Sequence, residues 1–217
     1  MKRIIILIVV LILLIGGGIG FYFYQIHKAP TLSELLTIKG VREFSDVQKE
    51  NFEEAKALLE KNINDYKGLT YLAILKNIAG DTQGAIEIYN KMLTIKTQDI
   101  LPLNNLAQIY YDLKDYKKAE ELSLKILSIS PKWMNSYDLL MDLYQFHLTD
   151  KRADLEPILL NGLEIYPEMK TAMLSKLAVY YDEFVMNKEK ALQYYKELIK
   201  VDPNNQSAAA RLRELLK

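Results

Sequence analysis

Residues 100–133 read ILPLNNLAQIYYDLKDYKKAEELSLKILSISPKW. Leu103, Leu106, Ala107 and Tyr110 recur at three and four, the spacing that lines one face of an α-helix. Lys114 and Asp115 interrupt the run as a turn. Ala119 opens a second helical face, and Pro131 ends it, because proline cannot continue a helix. The stretch predicts two amphipathic helices joined by a tight turn.

Outward from this stretch the same positions return. Ala73, Ala107 and Met141 are spaced by 34 and 34, and Ala85 and Ala119 are also 34 apart. Pro131, Pro167 and Pro203 follow at 36 and 36. The first unit holds Leu69, Leu72, Ala73, Ala85 and Tyr89, with Gly80-Asp81 at its turn. It carries Lys76 where other units have tyrosine, and Thr97 where they have proline. The third holds Tyr137, Leu140, Met141 and Tyr144; the fourth holds Leu174, Leu177, Ala178, Tyr181, Ala191 and Tyr195. These two units are longer, with the extra length expected between their helices, around residues 148–154 and 186–190. A small residue at 73, 107 and 178 suits a close helix crossing of 8–10 Å, and Met141 departs from that rule. One such pair buries only part of its apolar face, so neighbours must stack.

The pattern resembles the tetratricopeptide repeat, whose signature runs W-x2-L-G-x2-Y, then A-x3-F, then P. The resemblance covers about 150 residues and carries no catalytic motif. It implies an all-α solenoid of about four helix pairs, residues 66–99, 100–133, 134–170 and 171–203. Residues 204–217 would be a capping helix with a polar outer face. Residues 45–65 read as an N-terminal helix or degenerate repeat, with Ser45 and Gln48 as a capping box. Residues 25–44 read as a linker with one helical turn near 31–34.

In this fold the first helix of each pair lines the concave surface. The residue after each signature position lies about 100° round the helix, away from the packed face. The middle of that stripe predicts a partner-binding groove of Asn104, Gln108, Tyr111, Asp138, Asp142 and Gln145. Amides would pair with an extended backbone, and Tyr111 would add a flat contact of the kind that anchors interfaces. Thr70, Ile74 and Asn77 extend the stripe at one end, and Ser175, Val179 and Asp182 at the other; none of these residues is Lys or Arg. Chaperone-docking relatives would bring a Lys, Arg and Asn clamp for a terminal carboxylate. Asn105 sits near a matching place, but the basic residues are absent from the stripe.

Residues 4–24 hold no charge, and a helix of that length spans a hydrocarbon core of about 30 Å. Phe21, Tyr22, Phe23 and Tyr24 suit a membrane interface. Lys2 and Arg3 precede the segment, which places the N-terminus in the cytoplasm and the repeats outside it as a single-pass cell-membrane protein. Gly16 and Gly20 form a G-x-x-x-G pair that would allow a homodimer through the membrane helix. A cleaved signal peptide is the competing reading, although no A-x-A site is present.

The chain of 217 residues has 28 basic and 28 acidic residues and no cysteine. Lys2, Arg3 and Lys28 are the charges before residue 31, so the rest carries 25 bases against 28 acids. An acidic body is a poor nucleic-acid binder, since that affinity rests on cations neutralising phosphates. Without cysteine, thiolate zinc, iron–sulfur, lipoprotein and thiol-nucleophile chemistry are excluded, and His27 and His147 are too few for a histidine metal cluster. No phosphate loop, H-E-x-x-H or G-x-S-x-G occurs, so no cofactor, metal or catalytic residue is expected. The functional expectation is a membrane-tethered protein-binding scaffold or assembly and quality-control factor, not an enzyme. A cytosol-facing import-type receptor, or a secreted module after cleavage, is the alternative.

Overall fold

The structure, a computed structural model, describes residues 30–40 and 42–217. Eleven α-helices and no strand occur among the described residues. The residues read as a membrane segment, with Gly16 and Gly20, lie outside the described part. Among the described residues no helix is long and apolar enough to cross a membrane. The chain forms two compact units, Met1–Gly84 and Ala85–Lys217.

In the first unit, α1 (Leu32–Leu36) and α2 (Asp46–Lys61) both start at capping boxes, Thr31 with Glu34 and Ser45 with Gln48. Each box satisfies two of the amide donors that a helix start leaves unpaired. Helix α3 (Tyr66–Ala79) starts at Asp65, whose carboxylate accepts the Gly68 N–H at 2.8 Å. Its buried face is Leu69, Leu72, Ala73, Leu75 and Ala79, and it packs on α2 through Ala55 and Leu59. Gly80 ends α3 in the left-handed region at φ 89°, which a side chain disfavours.

Residues 32–40, which the sequence suggested were mostly linker, are held against this unit. Leu35 is buried. At Gly40 a Cβ would fall 2.1 Å from the Ala79 carbonyl oxygen, so only glycine lets the chain pass there. Lys76, in the place of the signature tyrosine, is 4% exposed and its Nζ donates to the Thr37 carbonyl and to Asp81 Oδ2 at 2.9 Å. Asp81, 6% exposed, also accepts the Lys39 and Gly84 N–H groups, both at 3.2 Å. Burial works to raise the Asp81 carboxyl, but the Lys76 ammonium and those two amides hold it below the usual carboxylate range.

Helix α4 spans Thr82–Ile95 and carries the chain into the second unit. There α5 (Ile100–Asp112) packs on α6 (Tyr116–Ile129), and α6 on α7 (Met134–Asp142). Helix α8 (Arg152–Ile165) packs on α9 (Lys170–Val179), α9 on α10 (Lys188–Val201), and α10 on α11 (Gln206–Leu215). The signature residues form the core: Leu103, Leu106, Ala107, Tyr137, Leu140, Tyr144, Leu174, Leu177, Ala178 and Tyr181 are all buried. A fully buried leucine of this set contributes roughly 1.5–3 kcal/mol. Met141, too large for the close crossing, is only half-buried at the edge of the cluster.

The first helices of the third and fourth pairs end in π turns, Leu143–His147 and Tyr180–Phe184. The Leu148 N–H reaches back to the Leu143 carbonyl at 2.7 Å, and Val185 to Tyr180 at 3.0 Å. A π turn absorbs one residue inside a helix. The added length of these pairs therefore begins earlier than the sequence placed it, and continues in a 3-10 turn at Thr149–Lys151. The Arg152 guanidinium closes the first π turn, donating to the Tyr144 carbonyl at 3.1 Å and the Gln145 carbonyl at 2.7 Å.

Candidate functional site

Helices α5, α7 and α9 are the first members of their pairs, and the expected groove residues lie along them within the second unit. Asn104, Gln108 and Tyr111 are on α5; Asp138 and Asp142 are on α7, and Gln145 is in the π turn after it. Helical spacing puts each set on one stripe because side chains three and four apart share a face. None of the six is buried, in contrast to the signature residues beside them.

What the sequence did not suggest is that most of these side chains are bonded to a neighbouring helix. Trp133 Nε1 donates to Asn104 Oδ1 at 2.9 Å. Tyr111 donates its hydroxyl proton to Asp142 Oδ2. Lys176 Nζ, on α9, reaches back to Asp138 Oδ1. Gln145 Nε2 donates to Glu183 Oε2 at 3.4 Å. Arg211, on α11, clamps Asp182 with Nε at 2.7 Å and Nη2 at 3.0 Å. The stripe is thus a ladder of bonds from each repeat to the next. Gln108 is the exception, bonding only along its own helix to Asp112 at 3.0 Å.

The ladder also answers the lack of cations in the stripe. Lys176 lies one position beyond Ser175, and Arg211 belongs to the cap, yet both long side chains reach the acidic groups. The Arg211 bond holds the Asp182 carboxyl below the usual range against the opposing effect of burial. At Tyr111 the bond to Asp142, then burial, push the phenol up to about 12.

One end of the stripe is aromatic. His147 stacks on Tyr116 with ring centres 3.9 Å apart and meets Tyr111 edge-on at 5.5 Å. His147 Nε2 lies 3.2 Å from the Tyr111 oxygen. Tyr111 has one hydroxyl proton and gives it to Asp142, which leaves His147 Nε2 as the donor in that contact. His147 reads as a lone residue in the sequence; its place beside Tyr111 depends on the π turn, which periodicity does not mark. Among the described residues no group of three or more His, Cys, Asp or Glu side chains is placed to hold a metal ion.

A family model described as tetratricopeptide repeat matches residues 78–149, and a second of the same description matches residues 186–205. A tetratricopeptide repeat protein from Parabacteroides merdae superposes with a TM-score of 0.55 at 19% identity, over 79% of this chain and 73% of that one. These findings support a tetratricopeptide repeat protein. The C-terminal part of a repeat protein from Cytophaga hutchinsonii gives 0.56 at 21% identity, over 76% and 65% of the two chains. YrrB, described as a tetratricopeptide repeat protein with an unusual peptide-binding site, gives 0.53 at 17%, over 74% and 81%. In sequence, the chain is 34% identical to the uncharacterized protein ycf37 of Pyropia yezoensis over 35% of this chain and 51% of that protein. The chain thus spans about half the length of that relative. The resemblance read from Ala107, Ala119 and Pro131 leads to the same repeat fold.

Proposed function

We propose that the chain is a membrane-tethered scaffold that presents its repeats outside the cytoplasm and takes an extended segment of a partner protein across α5 and α7. The observation that carries the reading is the row of unburied polar side chains on these two adjacent first helices, in a fold whose members generally serve as protein-binding scaffolds. The Asp138 and Asp142 carboxylates keep lone pairs beyond the single bonds described above, so the row favours a basic or uncharged segment over an acidic one. The tether rests on residues 4–24, and the orientation on Lys2 and Arg3.

The test is a crosslinking pull-down from intact membranes. Replacing Asn104, Gln108 and Tyr111 together with alanine should cut partner recovery at least about tenfold, or about 1.4 kcal/mol. Tyr111 and Asn104 also brace the next repeat, so the decisive variant is Gln108→Arg. Its side chain is exposed and bonds only within α5. Unchanged recovery with both variants, at matched helicity, would remove the groove from the binding site.

A further inference from the structure

Two junctions between repeats hold an acid in the same way. Tyr144 Oη donates to Glu120 Oε1 at 2.6 Å, and Lys151 Nζ reaches Glu120 Oε2 at 2.5 Å. One repeat on, Tyr181 donates to Glu156 Oε1, while Lys190 Nζ holds that oxygen at 3.2 Å and the Tyr181 hydroxyl at 2.7 Å. In both, the acid lies on the second helix of one repeat and the phenol at the end of the first helix of the next.

The junction before these has the donors without the acid. Tyr110 stands 34 residues before Tyr144, and Lys118 lies 4.7 Å above its ring, as Lys190 lies 4.4 Å above that of Tyr181. Ile86 takes the place of Glu120, 34 residues earlier, and is buried. The Tyr110 hydroxyl bonds to no described residue, and Tyr110 is half-buried where Tyr144 and Tyr181 are buried.

Tyr110 and Lys118 instead line a cleft of about 300 Å³ between α4 and α6. Leu93, Leu106 and Leu122 give it an apolar wall, and Glu121 and Lys125 stand exposed at its edge. Helices α4 and α6, with Asp115, carry four bases and four acids, so net charge selects no occupant. The donors do: the Tyr110 hydroxyl and the Lys118 and Lys125 ammonium groups converge there against the Glu121 carboxylate. Lys118 also holds Asp115 at 2.9 Å, but an ammonium has three donors, and Lys190 binds two groups at once.

We propose that the cleft between α4 and α6 takes a glutamate side chain of a partner protein, which brings to Tyr110, Lys118 and Lys125 the carboxylate that the next two junctions find within the chain. Its methylenes lie on the leucine wall, and its carboxylate accepts charge-assisted bonds from the ammonium groups and a bond from the phenol. The occupant is a glutamate of a protein because Glu120 and Glu156 meet the same kind of donors one and two repeats on, in a fold whose members generally serve as protein-binding scaffolds. The cleft lies between second helices, apart from the groove on α5 and α7, and stands whether or not that groove binds.

The test uses the full chain in detergent, with carbon-13 in the tyrosine rings and the Tyr110 signal assigned from Tyr110→Phe. The probes are an alanine–glutamate–alanine peptide blocked at both ends, its glutamine analogue, and a blocked dialanine with a free carboxyl terminus. The glutamate peptide should shift the Tyr110 signal saturably, at least about fivefold more tightly than the glutamine peptide, and its affinity should fall with salt. Lys118→Ala should weaken it about two- to fivefold, the range of a solvent-exposed ion pair. Glu121→Gln should tighten it, because a like charge leaves the edge. Ile86→Glu supplies the acid from within and should abolish the shift; should that variant fail to fold, Lys118→Ala, at an exposed position, carries the test. An unmoved Tyr110 signal, or equal binding of the glutamate and glutamine peptides, overturns the site. A response to the free terminus alone gives the cleft to a chain end and overturns the glutamate.

Discussion

The buried pair in the first unit gives the sharpest energetic test. Lys76 and Asp81 side chains are each 5% exposed, so neither can turn to water when the other is removed. Removing one partner of such a pair costs about 3–5 kcal/mol, because an uncompensated charge stays buried. The groups left behind set the position within that range. After Lys76→Met, Asp81 keeps the Lys39 and Gly84 N–H bonds, which favours the low end, about 3 kcal/mol. After Asp81→Asn, the ammonium keeps the Thr37 carbonyl and an amide oxygen, which gives about 3–4 kcal/mol. The double variant Lys76→Met, Asp81→Asn leaves no buried charge, although the asparagine has one acceptor oxygen where the Lys39 and Gly84 N–H groups each use a different carboxylate oxygen. It should be less damaging than the sum of the two by at least about 1.5 kcal/mol, within the 0.5–3 kcal/mol usual for residues in contact.

Urea unfolding followed by circular dichroism measures the three costs. Hydrogen exchange at the Leu35 amide, which bonds to the Thr31 carbonyl in α1, reports whether residues 32–40 come loose. The pH dependence follows from the same pair. The folded Asp81 carboxyl lies below its unfolded value near 3.9, so its contribution is full above that value and is lost as pH falls through the folded one. Wild-type stability should therefore fall more steeply below about pH 4 than that of Asp81→Asn. Single variants within about 0.5 kcal/mol of wild type, or a double variant equal to the sum, would refute the reasoning.

Ala107 is 2% exposed in the closely packed second repeat, so Ala107→Leu should destabilise by about 1–3 kcal/mol through overpacking; an unchanged thermal midpoint would mean the helix register is wrong. Arg211→Ala should raise the Asp182 carboxyl toward the ordinary range, and acid sensitivity near pH 4 should shrink with it, since a depressed carboxyl contributes only above its unfolded value. A carboxyl titration followed by NMR that shows no rise would remove the bidentate clamp. A phosphatase fused after Lys217 should be active outside the cytoplasm, and moving Lys2 and Arg3 behind Tyr24 should weaken that orientation. A C-terminus shielded from protease in spheroplasts would reverse the topology.

The helix pairs were legible because their signals are local: apolar spacing, Ala at three of the four crossings, and Pro after the second helix of the second, third and fourth pairs report contacts between chain neighbours. The stripe was legible for the same reason, since rotation about one helix axis fixes which residues share it. The groups that decide its electrostatics were not. Lys176 and Arg211 act 38 and 29 residues from the carboxylates they meet, through long side chains whose reach leaves no periodic trace. Lys76 looked like a flaw in the first repeat because a buried cation makes sense only once Asp81 and the Thr37 carbonyl are seen beside it. The π turns add one residue each, too little to break a pattern of three and four, yet the first brings His147 against Tyr111 and Tyr116. These bonds also change what the groove can do. A segment that pairs with Asp138 competes with Lys176, and one that stacks on Tyr111 disturbs its bond to Asp142. Stability in stacked repeats is set between nearest neighbours. In the proposed groove, partner binding and the coupling of the second, third and fourth repeats would therefore draw on the same bonds, and a partner that supplied its own cation to Asp138 would free Lys176 rather than leave a carboxylate bare.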